Sequence, residues 1–230
     1  MPTDPLTNPF WYALHGPQRG YAAHGTHACR YHPIYATQCA VDEPTAPALR
    51  ALYELLQPGE SVDLFHTSAL DLPGGLTRRI EVTLVQMVHH GAAPLAPHTL
   101  PPDTRVLGPD DARAMLELVK LTRPGPFRER TVELGTYVGT WHEGTLIAMA
   151  GQRANLDTHR EISAVCTHPD HQRQGLAAAL VTELLRRTRD EGKTPFLHVD
   201  ARNAAAIRTY ERLGFRVERQ LNVSVLQRAH

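Results

Sequence analysis

From Gly175 the chain reads GLAAALVTELLRRTRDEG, with apolar residues returning at helical spacing through Leu176, Leu180, Leu184 and Leu185. That period predicts an amphipathic helix. Arg186, Arg187 and Arg189 gather at its C-terminal end, where the dipole favours cations, and Gly192 closes it. The same reading extends to both sides. PDDARAMLELVKLTRP repeats apolar residues at Ala114, Leu118 and Leu121, starts from Asp110 or Asp111 as a cap, and is stopped by Pro124 and Pro126. LGTYVGTW and TLIAMAGQR read as strands around the tight turn His142-Glu143-Gly144. REISAVCTHP is a third strand ended by Pro169, PFLHVDA a fourth, NAAAIRTYERL a helix ended by Gly214, and FRVERQLNVSVLQR one or two last strands. The order α-β-β-β-α-β-α-β predicts an α+β, or α/β three-layer, domain.

The N-terminal part is patterned more weakly. NPFWYALHG predicts a short helix from Asn8, and GYAAHG, ACRYH and ATQCAVD short strands. APALRALYELLQPGE repeats through Leu49, Leu52 and Leu55 as a helix, and SVDLFHT and IEVTLVQMVHH read as strands. This rhythm echoes the C-terminal part. Between the two, HHGAAPLAPHTLPPDT is rich in Pro, Ala and Gly without periodicity and reads as a linker. The expected organisation is an N-terminal part at 1–90, a linker at 91–104 and a second domain at 105–230.

Composition narrows the function classes. The 230 residues are 42% hydrophobic and 21% charged, as in a globular chain. Lys+Arg and Asp+Glu are both 24, a balance that argues against general nucleic-acid binding. Cys29, Cys39 and Cys166 are far apart and form no metal spacing, which suits a reducing cytoplasm. The fourteen histidines are scattered, without an H-x-x-x-H pair on a helix, so no metal is expected. No basic-then-apolar leader opens the chain and no run of about 18 apolar residues occurs, so neither export nor a membrane partner is expected.

The chemistry concentrates in HPDHQRQGLAAAL. A glycine ahead of a helix lets the backbone approach a ligand closely. The first helical N–H groups have no internal partners and carry the positive end of the dipole, so they favour an anion. Arg173 adds a charged fork for phosphate oxygens. Neither G-x-G-x-x-G nor G-x-x-x-x-G-K-[ST] is present. Downstream, Asn203 and Tyr210 are two helical turns apart and share a face, with Ala204, Ala205 and Ala206 leaving room beside them.

Together, Gln172-Arg173-Gln174-Gly175-Leu176-Ala177 after a strand and N-x-x-A-x-x-x-Y-x-x-x-G-F from Asn203 to Phe215 resemble the GNAT (GCN5-related N-acetyltransferase) superfamily over about residues 105 to 225. Ala177 stands where many members have glycine. The resemblance implies a mixed, mostly antiparallel sheet flanked by helices, and the echoed rhythm suggests a tandem form whose first half is degenerate. It implies acetyl-CoA as co-substrate and an amine acceptor. The pyrophosphate would lie on the N–H groups from Arg173 to Ala178, which takes in Gln174, Gly175, Leu176 and Ala177, with Gln172 opening the turn. The pantetheine would lie beside Val165, Cys166 and Thr167 on a bulged strand. Asn203 and Ala206 would face the pantetheine, and Tyr210 would protonate the leaving thiolate. No covalent enzyme intermediate is required, so Cys166 reads as a small buried residue.

Glu161 is the candidate general base, or else a solvated strand-end charge or a structural partner of Arg160 or Arg153, with His198 and His159 as weaker candidates. Arg123, Phe127, Arg128 and Arg130 lie where the family's acceptor segment varies, while Phe127 and Trp141 also read as core. A CoA-binding sensor, or an acyltransferase using a longer acyl-CoA or an oxygen acceptor, are the alternatives. A monomer or a homodimer would both fit.

Overall fold

The computed structural model describes residues 4–91 and 99–230. Helix α1 (Pro9–His15) is followed by strands β1 (Ala22–His24), β2 (Ala28–Tyr31) and β3 (Gln38–Val41), helix α2 (Ala46–Leu55), and strands β4 (Ser61–His66) and β5 (Leu76–Val88). The second half runs β6 (Thr104–Leu107), α3 (Ala112–Thr122), β7 (Tyr137–His142), β8 (Thr145–Asn155), β9 (His159–Thr167), α4 (Leu176–Asp190), β10 (Thr194–Asp200), α5 (Ala204–Arg212) and β11 (Arg216–Arg228). The expected elements are all present. The hairpin turn carries Glu143 and Gly144 at φ of 47° and 79°, the paired left-handed conformations of a tight turn. One feature differs from expectation: β6 begins at the last residue of the expected linker. The C-terminal segment forms one long strand, and residues 92–98 of the linker lie outside the described residues.

The strands of the described residues form one sheet in the order β1-β2-β3-β4-β11-β5-β10-β9-β8-β7-β6. Each half follows one plan. An antiparallel pair (β2/β3, β8/β9) leads through a helix (α2, α4) to a strand parallel to its predecessor (β4 beside β3, β10 beside β9). The halves then exchange their last strands: β5 lies between β10 and β11, and β11 between β4 and β5. Residues 1–90 and 105–230 are thus halves of one continuous sheet, joined at the centre by the long antiparallel β5/β11 ladder.

The sheet is strongly curled. Helix α1 packs on β2 and β3 and also on β8, six places away in strand order. On a flat sheet that separation would be ~29 Å at ~4.8 Å per strand, and a helix only ~10–12 Å across could not bridge it. Curling brings the two arms together around α1. There, Gln18 Nε2 donates to the carbonyls of Leu134 and Arg153 at 3.0 and 2.7 Å. The concave face holds α1 and α3. The opposite face holds α4, whose Leu180, Val181, Leu184 and Leu185 pack with Ile162, Leu197 and Met87. No helix among the described residues is long and apolar enough to cross a membrane.

Candidate active site

The site opens where β9 and β10 part. Their parallel ladder ends at Leu197↔Ile162, although β9 runs on to Thr167 and β10 to Asp200. On its other side β9 carries a bulge. Met149 pairs with Cys166 and Gly151 with Ser163, so two steps on β8 meet three on β9. Ala164 takes up the extra residue at φ 53°, a left-handed conformation costly for a residue with a Cβ. Val165 and Thr167 are half-buried along this edge, and Cys166 is buried beneath it. Burial pushes the Cys166 thiol up to about 11, so at neutral pH it is not a thiolate nucleophile.

Beyond β9 a single turn, Pro169–His171, leads into an exposed loop at Gln172, Arg173, Gln174 and Gly175. Arg173 and Gly175 both have positive φ, 62° and 81°. A Cβ on Gly175 would meet nothing within 4 Å, so its backbone conformation, not crowding, demands glycine. Among the described residues, no acceptor engages the N–H groups of Arg173 through Ala178, whereas the Gln172 N–H is spent on the Pro169 carbonyl. Leu176, buried at 7% exposure, anchors the first turn of α4 while Ala177 and Ala178 stay half-buried. The result is a row of free N–H groups at a helix N-terminus, a ready anion site.

Helix α5 forms the far wall. Its cap is Asn203, whose side-chain oxygen accepts from the Ala206 N–H at 3.0 Å. That oxygen is therefore committed to the helix, and the Asn203 amide N–H₂ group is the part left for a ligand. Ala206 and Tyr210 pack at the edge of the α4 core, with the Tyr210 ring 5.9 Å from that of Phe215. Burial and the nearby Cys166 thiol push the Tyr210 phenol up to about 12. The phenol therefore keeps its proton at neutral pH.

Glu161 is paired with Arg153, one of the structural partners open to it from the sequence. It is fully buried on the concave face, below the opening. Its oxygens accept from Arg153 Nε and Nη2 at 2.9 and 2.7 Å and face His198 Nδ1 at 2.8 Å. Burial by itself would raise its carboxyl, but the Arg153 guanidinium and the His198 ring outweigh that and bring it down to about 2. A carboxylate so weakly basic and so fully engaged is a poor proton acceptor. The position that starts the strand in sequence lies beneath α1, whose Phe10 ring is 5.3 Å from the Arg153 guanidinium. His198 Nε2 lies 3.0 Å from Gln86 Nε2, so its second nitrogen is also occupied. His159 sits at the opposite end of β9 from the bulge.

Sequence reasoning missed the contribution of the first half. Gln86 of β5, Phe10 of α1 and Phe65 of β4 all surround His198, with ring distances of 6.5 and 5.0 Å for the two phenylalanines. One signal was available, a glutamine interrupting the apolar run VTLVQMV. In the acceptor segment, Arg130 pairs with Glu133 and stacks on Tyr35, Phe127 packs edge-on against Tyr137, Arg123 ends α3, and Arg128 is exposed. Trp141 packs with the α3 core.

Comparisons with known proteins agree with this fold. A family model described as FR47-like protein matches residues 137–223. A GNAT-family protein from Novosphingobium aromaticivorans has a structure that superposes with a TM-score of 0.90 at 33% identity, over 99% of this chain and 100% of that one. The chain belongs to the GNAT family. A GCN5-related N-acetyltransferase from Kribbella flavida shares the fold at 17% identity, with a TM-score of 0.61 over 96% of this chain and 94% of its own. A stretch of 73 residues is 41% identical to the [ribosomal protein bS18]-alanine N-acetyltransferase of Escherichia coli K12, covering 31% of this chain and 49% of that protein. The chain thus spans about half the length of the curated relatives it matches.

The first half lacks an equivalent anion site for reasons visible in the fold. At the N-terminus of α2, the counterpart of the α4 turn, stand Asp42, Glu43 and Pro47. Two carboxylates repel an anion, and a proline removes one N–H. The corresponding gap beyond the short β3/β4 ladder is filled by the chain itself, with Asn8 Nδ2 donating to the Val41 carbonyl at 2.7 Å. This GNAT chain is expected to bind one CoA-type ligand, and calorimetry giving two equivalents per chain would contradict that.

Proposed function

We propose that this chain transfers the acetyl group of acetyl-CoA to an amine by direct attack. The observation that carries the reading is the combination of a bulged β9 splayed from β10, free N–H groups from Arg173 to Ala178 at its end, and a protonated Tyr210 across the opening. The pyrophosphate fits the free N–H row, with Arg173 closing over it. The pantetheine fits the gap beside Val165 and Thr167, with the Asn203 amide as a donor. A β9 N–H freed by the bulge polarises the thioester carbonyl as the amine attacks. The carbon–sulfur bond then breaks, and Tyr210 donates a hydrogen bond and its proton to the departing thiolate.

Because Glu161 and the ring nitrogens of His198 are engaged, the amine proton passes to water. Glu161 and His198 then act as positioning residues that keep the floor of the opening rigid. The pH profile of kcat/KM is therefore expected to follow the amine itself, rising near ~8 for a peptide N-terminus and ~10 for a lysine-like amine. A limb in the imidazole range that disappears in His198→Gln would instead make His198 the base.

The acceptor screen should include small amines, amino acids and peptides beginning with alanine, since the curated relative acts on an alanine. Acetyl-CoA is expected to raise the Tm, and the absence of any shift at millimolar ligand would overturn the proposal. Gly175→Val forces a branched side chain into a left-handed conformation. It should abolish that shift while the chain stays folded, and a normal shift would place the phosphates elsewhere.

A further inference from the structure

We infer that the acceptor lies along the exchanged strand β5, and that the site selects amines with an extended apolar body; this rests on the acetyl-transfer reading above. The register places the surface. His198 pairs with Gln86 and Asp200 with Leu84 where β10 borders the opening. Side chains alternate along a strand, so Leu84, Val82 and Ile80 share the concave face with Gln86 and His198. Across the central ladder Val82 pairs with Val223, and Val223 pairs in turn with Phe65. The Phe65 ring lies 5.0 Å from the His198 ring, which confirms that these residues line one face.

This strip is closed at one end and becomes exposed toward the other. Residues 4–10 close the row nearest α1, where Gln86 Nε2 donates to the Leu6 carbonyl and Asp4 pairs with Arg219. Beyond that row Leu84, Val82 and Val223 are half-buried, and Ile80 is 57% exposed. From Leu84 to Ile80 the strip runs ~14 Å at ~3.4 Å per residue.

The strip fixes the direction of the occupant, because none of these strip positions carries a charge. Asp200, beside Leu84 at the mouth of the opening, is paired with Arg202 at 2.8 Å, so the mouth is polar without a net charge. The amino group lies at that polar mouth, and the rest of the molecule lies on the aliphatic strip. A polycation of the same length would set its inner charges against the side chains of Val82 and Ile80.

The test measures thiol release from acetyl-CoA by the full chain with ethyl-, butyl-, hexyl- and octylamine and with spermidine. kcat/KM is expected to rise about twofold per methylene, half the logarithmic gain of full burial because the strip is half-open. Spermidine should be poorer than octylamine. Val82→Asp should collapse the octylamine-to-ethylamine ratio toward unity. Ile80→Asp, at an exposed position that does not endanger folding, should lower the ratio chiefly for the longest amines. A flat series, a preference for spermidine, or a ratio unchanged in Ile80→Asp would overturn the inference while leaving acetyl transfer standing. Loss of the acetyl-CoA-induced rise in Tm in the wild-type chain would overturn the transfer reading itself.

Discussion

Tyr210→Phe is expected to lower kcat by about a hundredfold, at the lower end of what a positioned general acid contributes. The affinity for acetyl-CoA should barely change. The phenylalanine keeps the packing against Phe215 and the edge of the α4 core and removes only the hydroxyl. With the phenol pushed up to about 12, the wild-type group is protonated across the working range. Its titration should therefore leave no alkaline limb in the rate within the working range. The measurement is kcat beside acetyl-CoA Kd, read by thiol release and by calorimetry. An unchanged kcat would remove Tyr210 from the chemistry. A weakened Kd with unchanged kcat would make it a wall of the cofactor cleft.

The second large effect is on stability. Glu161→Ala would leave the Arg153 guanidinium, itself only 8% exposed, without its carboxylate. Stranding a buried charge in this way costs about 3–5 kcal/mol. In a chain of this length that is a fall in Tm on the order of 10 °C. Glu161→Gln should cost less, because the amide still fills the space and accepts one bond. The pH dependence has a definite sign. The folded carboxyl, at about 2, is below its ordinary value of 4.5. Its contribution is complete above 4.5 and is lost as pH falls from there toward 2. Acid unfolding of the wild type should show that limb, and Glu161→Gln should lack its share. If Glu161→Ala unfolds within a degree of the wild type, the buried pair is not a mainstay of the fold.

Both predictions concern residues that the sequence had singled out, and their fates differ for a physical reason. Tyr210, Gly175 and the N–H row from Arg173 owe their arrangement to local rules. A glycine with positive φ opens a helix, and two helical turns set the spacing from Asn203 to Tyr210. Such features survive projection onto a one-dimensional pattern. Asn203 was only half legible, because a residue suited to a ligand is also suited to an N-cap, and the backbone claims its oxygen. Which role Glu161 takes was left open, because strand position says nothing about what covers the strand. Only α1, brought in by the curl of the sheet, seals it against Arg153 and His198.

The sequence by itself determined the order of helices and strands, the glycine turn ahead of α4, the echo between the two halves and the absence of that turn in the first. These are encoded in periodicity, caps and glycine positions within about twenty residues of one another. The tertiary structure alone decided that the halves exchange β5 and β11, that Gln86, Phe10 and Phe65 reach His198, and that the concave face of β5 borders the opening. These follow from burying two apolar sheet faces in one curled sheet. Pairings between residues more than a hundred positions apart settle that arrangement, and no local pattern records them.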